Sequence, residues 1–276
     1  MKQLFDKISA ECSKVITNVY STSFSLGIKF LAKKFHAPIY NIYGFVRTAD
    51  EIVDSFHSYD KKLLLHNFRK DTFDAIDAGI SVNPILNSFQ ETVNKYNIEH
   101  RLIDLFFESM EMDLEKQEYK PDTYDKYILG SAEVVGLMCL RVFSENNYQI
   151  YEELEFFAKK LGSAFQKVNF LRDLNNDIND LGRYYFPGGM EFTSERKKQI
   201  EEEIEKEFRI ALIGIRKLPR GSRSGVYLAY SYYYKLFYKI KQYPPGKILK
   251  GRIRIPNARK FSLMFNCLLK EKLNTI

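Results

Sequence analysis

The 276-residue sequence has no tryptophan and only three cysteines, Cys12, Cys139 and Cys267, too widely spaced for a metal-binding or redox motif. It lacks HExxH, and its four histidines (His36, His57, His66, His100) are scattered, which argues against a zinc site. No GxSxG nucleophile turn and no GxGxxG dinucleotide turn occurs. Asn-Gly hairpin signals are also missing, and alternating strand patterns are scarce. No stretch approaches the roughly 18 apolar residues of a membrane span. The opening MKQLFDKISAECSKVI is interrupted by charges every few residues, unlike a secretory signal. A cytoplasmic protein is the expectation.

What is present is aromatic and helical. Phe and Tyr number 22 and 19, enough to line a core or a cavity with rings. The formal charge of +7 favours anionic partners. Lys and Arg are dispersed rather than gathered into a basic face, so no nucleic-acid partner is expected. Acids and bases alternate over Ser194–Arg209, the pattern of a solvated helix face. Apolar residues recur at three- and four-residue spacing, as in Ile39, Ile42, Tyr43, Val46 and in Leu154, Phe157, Ala158, Leu161. Breakers fall at His36-Ala37-Pro38, Val82-Asn83-Pro84, Lys120-Pro121-Asp122, Pro187-Gly188-Gly189, Pro219-Arg220-Gly221 and Pro244-Pro245-Gly246. These signs predict an all-α protein, one domain over residues 1–276, of about eight to ten helices.

Two segments carry candidate chemistry. In YNIYGFVRTADEIVD, Asp50 and Asp54 lie one helical turn apart, with Arg47 a turn before them. In LGSAFQKVNFLRDLNNDINDLGRYYFP, Asp173 and Asp177 repeat that spacing. A helix sets Gln166, Asn169, Asp173, Asn176 and Asp177 along one polar stripe, with Arg172 beside it. A lone DxxxD is usually a solvated acidic turn. Two of them on otherwise apolar helices offer the oxygen ligands that Mg²⁺ prefers, one or two carboxylates completed by substrate phosphates.

These residues resemble the squalene/phytoene synthase family. The likeness runs from Tyr20-Ser21-Thr22-Ser23-Phe24 through both acidic segments and Gly182-Arg183-Tyr184-Tyr185-Phe186-Pro187 to Gly251-Arg252-Ile253 and Arg259-Lys260. It implies the isoprenoid synthase fold, with the acidic motifs facing each other across a central cavity. It also implies head-to-head joining of two prenyl diphosphates through a cyclopropyl-carbinyl diphosphate, most like bacterial phytoene synthase in carotenoid biosynthesis.

By that resemblance Asp50, Asp54, Asn169, Asp173 and Asp177 hold Mg²⁺, with Mn²⁺ a possible substitute. Ser21, Ser23, Arg47, Gln166, Asn169, Arg172 and Arg252 bind diphosphate, and Tyr43, Tyr185 and Tyr234 border the reacting carbons. NADPH is expected only if the chain is a squalene synthase. Gly27, Ile28 and Tyr40 are expected near the cavity floor: the first two suit a C20 tail, whereas Tyr40 favours C15. Two departures stand out. Asn175-Asn176 replaces the family's usual Gly-Glu, and one residue is inserted before Gly182-Arg183. The alternatives are a dehydrosqualene or squalene synthase acting on C15 substrates, and a non-catalytic relative serving as an assembly partner. The basic stretch Lys247–Lys260 suggests peripheral contact with anionic lipid.

Overall fold

The computed structural model describes residues 1–114, 119–187 and 192–255. Arg259, Lys260, Cys267, Gly188 and Gly189 lie outside the described residues, as does the end of the Lys247–Lys260 stretch. Twelve α-helices occur among the described residues: α1 (Lys2–Tyr20), α2 (Thr22–Lys29), α3 (Lys33–Asp54), α4 (Lys61–Ala78), α5 (Pro84–Tyr96), α6 (His100–Met112), α7 (Pro121–Ile128), α8 (Val134–Ser144), α9 (Tyr148–Asn179), α10 (Ser194–Lys217), α11 (Arg220–Lys241) and α12 (Pro245–Ile248). A π-helical turn, Leu129–Glu133, joins α7 to α8. The count exceeds the expected eight to ten because short pieces such as α2 and α12 lack a long periodic run.

Most sequence breakers mark helix starts. Pro84, Pro121 and Pro245 open α5, α7 and α12, where the absent N–H would have no partner anyway. Asn83, Asn147 and Thr193 cap the starts of α5, α9 and α10 with side-chain oxygens. Pro38 is the exception: it lies inside α3 as its sixth residue, where it forfeits one backbone bond without ending the helix. The charged α10 also departs from a purely solvated face. Lys197 and Glu201 are buried against each other, and Glu207 meets buried Lys167 of α9 at 2.9 Å.

Two apolar clusters fill the interior. One gathers α3–α6 and α8 around Phe45, Phe89, Phe106 and Phe107; the other gathers α7 and α9–α11 around Val168, Leu171, Phe208 and Phe237. The run Pro121–Ser144 is long and apolar enough to cross a membrane, but Val134, Leu137 and Met138 within it belong to the first cluster.

Helix α9 approaches the π-helical turn closely at Gly162, where an added Cβ would lie 2.6 Å from the Ala132 carbonyl oxygen. Backbone cannot yield as a side-chain tip can. Gly162→Ala is therefore expected to cost ~1–3 kcal/mol, read from urea unfolding, and an unchanged midpoint would contradict this contact.

Candidate active site

A cavity of about 450 Å³ runs between the two clusters. Its longest wall is α9, whose residues Leu154, Phe157, Ala158, Leu161, Phe165, Gln166, Asn169 and Arg172 line it at helical spacing. That stretch covers roughly 27 Å of helix. The Leu154 end is apolar and the Arg172 end is polar, so one helix face runs from an apolar groove to a polar mouth. Across from it, α3 lines the cavity with Ile39, Ile42, Tyr43, Val46, Arg47 and Asp50 in the same order from apolar to polar.

The mouth brings together most of the predicted residues. Ser21, Tyr43, Arg47, Asp50, Gln166, Asn169, Arg172 and Arg252 all line it. Ser21 also caps α2, accepting from the Phe24 amide at 3.2 Å, while Ser23, two positions on along that helix, is not among the lining residues. Arg47 pairs with Glu51, stands 3.8 Å from Asp50 and stacks over the Tyr20 ring at 4.4 Å. Its Nε is buried without a hydrogen-bond partner. On α9, Asn169 donates to Gln166 at 3.3 Å and accepts from the Tyr233 hydroxyl at 3.2 Å. Asp173 accepts from Arg172 at 3.0 and 3.1 Å and pairs with Arg252 at 2.8 Å.

Several expected placements are corrected. Tyr234 does not reach the cavity: it packs on Phe208 and Tyr230, and Tyr233 lines the wall instead. One residue is 100° of helix, and Val226, Ala229 and Tyr233 share the inward face. Tyr185 sits behind the wall, stacked on Phe170 at 4.2 Å, with its hydroxyl donating to Asp113. Tyr40 is buried on the side of α3 that faces the charges of α1, so it does not narrow the floor, whereas Gly27 and Ile28 do line it. Asn176 is exposed and bonded to Asp180, and Asn175 ties α9 to the Leu249 carbonyl at 2.6 Å.

Sequence reasoning missed Asp113, Tyr127 and Tyr233, and assigned no role to Arg183. Tyr127 lines the cavity and donates to buried Asp113 at 2.6 Å. Gly182, at φ +66°, turns the chain after α9 so that Arg183 reaches back to Asp54 at 2.7 Å. The Tyr119-Tyr124-Tyr127 spacing is the signal that marks this aromatic face.

The four motif acids crowd one another. Burial first, then neighbouring Asp54, pushes Asp50 up to about 7; burial, then Asp173 and Asp54, pushes Asp177 up to about 8. Asp113 rises to about 6 through burial, opposed by Arg183 and the tyrosine hydroxyls. Asp177 forms no ion pair among the described residues. Arginines thus hydrogen-bond Asp54 and Asp173, while Asp50 has only Arg47 at 3.8 Å and Asp177 has no ion pair among the described residues, a charge deficit that a divalent ion fits. No group of three or more His, Cys, Asp or Glu converges as a ready-made metal cage among the described residues.

Because all three folded values exceed the ordinary carboxylate value, the folded chain holds protons that the unfolded chain has lost. This stabilisation is full below about pH 4 and disappears as pH rises through 6–8. The Tm of the metal-free protein is expected to fall from pH 6 to pH 9, and to fall less with Mg²⁺ and diphosphate present. A flat metal-free profile would contradict the crowding.

The family model for squalene/phytoene synthase matches residues 17–190. The chain is 31% identical to presqualene diphosphate synthase of Sinorhizobium fredii over 168 residues, 60% of this chain and 58% of that protein. It is 27% identical to phytoene synthase of Arthrospira platensis over 190 residues, 65% of this chain and 61% of that protein. The chain thus spans about 60% of the length of the curated relatives it matches. In fold it is similar to a dehydrosqualene synthase solved with a ligand (TM-score 0.82, 18% identity, 98% of both chains). It is also similar to squalene synthase HpnC from Alicyclobacillus acidocaldarius (TM-score 0.74, 18% identity, 86% of this chain and 94% of that one). A family match over more than half the chain, on an all-α isoprenoid synthase fold with both acidic motifs in order, means that this protein belongs to the squalene/phytoene synthase family.

Proposed function

We propose that the chain joins two prenyl diphosphates head to head. The observation that carries this reading is an apolar cavity whose polar mouth is lined by Asp50 of the first acidic motif and by Asn169 and Arg172 beside the second, with Arg252 at the mouth pairing with Asp173 at 2.8 Å. Arg47, Arg172, Arg252 and Ser21 are placed to hold diphosphate oxygens. Mg²⁺, or Mn²⁺ in its place, held by Asp50, Asp54, Asn169, Asp173 and Asp177, would supply the positive charge that assists diphosphate departure.

As the C1–O bond breaks, its electron pair leaves with diphosphate. The π electrons of the second substrate attack C1, and loss of a proton closes a cyclopropyl-carbinyl diphosphate. A second ionisation, rearrangement and proton loss give a linear polyene. Just below the mouth, Phe24, Tyr43, Phe165 and Tyr233 form an aromatic shelf, with Phe165 and Tyr233 stacked at 4.0 Å. Ring faces there stabilise a carbocation, and the apolar wall keeps water from trapping it. Burial pushes the Tyr43 hydroxyl up to about 12, so it stays a neutral donor. Tyr233→Phe, which removes the hydroxyl that donates to Asn169, is expected to lower turnover about 10-fold or more, whereas Tyr234→Phe leaves it within about twofold. Equal losses would contradict the assignment of Tyr233 to the wall.

The finer reading is a C20 pair, giving phytoene. It rests on Gly27 and Ile28 at the wall and on Tyr40 turned away. A C15 pair is the second reading, favoured by the Phe143 and Phe157 rings among the lining residues and by the presqualene diphosphate synthase relatives. A competition assay with equal C15 and C20 diphosphates separates them: preferential turnover of C20 supports the first, and turnover of C15 alone sinks it. The insoluble product also fits peripheral contact with anionic membranes through Lys247, Lys250 and Arg254. Co-sedimentation with anionic vesicles tests this, and no binding at low salt would count against it.

A further inference from the structure

Asp113, at the end of α6, is 6% exposed and gathers donors from three directions. Tyr119 and Tyr185 donate to its Oδ1 at 3.2 and 3.0 Å, and Tyr127 donates to its Oδ2 at 2.6 Å. Arg183 completes the set, with Nε 3.7 Å from Oδ1 and Nη2 donating to the Asp113 carbonyl at 2.6 Å. Among the described residues every hydrogen-bond partner of the carboxylate is a donor, an arrangement that suits its ionised form.

The same guanidinium donates to Asp54 Oδ1 at 2.7 Å and to the Val53 carbonyl at 3.3 Å. One cation is therefore shared between two carboxylates, and the trio Asp54, Arg183 and Asp113 carries a net charge of −1. Were Asp113 neutral, Arg183 would cancel Asp54 outright, and the first acidic motif would keep only Asp50, itself 3.8 Å from Arg47, as a carboxylate without a hydrogen-bonded cation.

We propose that Asp113 is a positioning residue: by sharing the charge of Arg183, which donates to Asp54 at 2.7 Å, it leaves the Asp54 carboxylate only partly neutralised and able to bind a divalent cation. The proposal rests on the reading of the acidic motifs as a metal–diphosphate site. Asp113 itself does not line the cavity, so it acts through Arg183 rather than on substrate. Groups that orient a metal's ligands typically change metal affinity 10–100-fold when removed.

The test is the Mn²⁺ concentration giving half of the Mn²⁺-dependent rise in Tm, measured on the full chain at fixed inorganic diphosphate. For Asp113→Asn this midpoint is expected to rise about 10–100-fold, while Asp113→Glu, which keeps the charge, stays within about threefold of wild type. A wild-type midpoint for Asp113→Asn overturns the proposal, as does an equal rise in both variants, which marks a structural role. Should Asp113→Asn fail to fold, Tyr119→Phe removes one donor and keeps the charge. A midpoint at or below wild type then supports the proposal, and a rise overturns it. If the wild-type protein itself shows no Mn²⁺-dependent shift with diphosphate, the metal reading of the site fails first. Wild-type binding with an unaffected Asp113→Asn sinks the Asp113 assignment alone.

Discussion

Replacing Asp50 or Asp173 by Asn is expected to lower kcat by at least ~10²–10³-fold, the scale seen when one transition-state electrostatic partner is removed. The two variants should part company in stability. Asp50 has Arg47 no nearer than 3.8 Å and is crowded by Asp54, so its charge opposes folding. Asp50→Asn relieves that crowding, and its Tm should equal or exceed wild type. Asp173 is clamped by Arg172 and Arg252, so Asp173→Asn frees two guanidinium groups and should lower Tm. Loss of activity together with opposite Tm shifts would locate the defect in the reaction rather than in the fold. Unchanged turnover in either variant would contradict the roles proposed for the acids and would favour a non-catalytic relative.

The second large effect is on stability. Arg183→Ala removes the guanidinium that joins the ends of α3 and α6. It also leaves Asp113 buried among hydroxyls without its cation. Breaking a buried pair by removing one partner costs about 3–5 kcal/mol. Urea unfolding of Arg183→Ala should show that loss at pH 8. The loss should shrink toward pH 5, where Asp113 takes up a proton and no longer needs a counter-charge. A loss under about 1 kcal/mol at pH 8 would mean that the tyrosine hydroxyls alone satisfy Asp113.

Much of this arrangement is written in local sequence. The period of Leu154, Phe157, Ala158 and Leu161 marks the α9 wall, and carrying the same period to Gln166, Asn169 and Arg172 leads to the mouth. The four motif acids, Arg47 and Arg172 stand at short spacing within two segments, whereas Arg252, 79 residues from Asp173, was legible only through the family resemblance. Asp113 was not, since its meaning comes from partners 6, 14 and 72 residues away that only the packing of α6 against α7 and the turn after α9 brings together.

Tyr234 was misplaced for a different reason. In a run of tyrosines composition gives no phase, and only Val226 and Ala229 fix which ring faces inward. Tyr40 shows the same limit on α3: the helix is buried on several sides, so burial alone does not name the side that meets the cavity. Pro38 shows that a strong breaker near a helix start yields to tertiary packing, here the burial of Phe35, Pro38 and Ile39.

The central claim, head-to-head joining at facing acidic motifs, is tested most directly by product structure. Purified protein with Mg²⁺ and C1-labelled prenyl diphosphate should yield a hydrocarbon, or its cyclopropyl diphosphate precursor, containing two tails joined through their labelled ends. Release of a single-tail alcohol or a head-to-tail product, with no doubly labelled joined species, would contradict it.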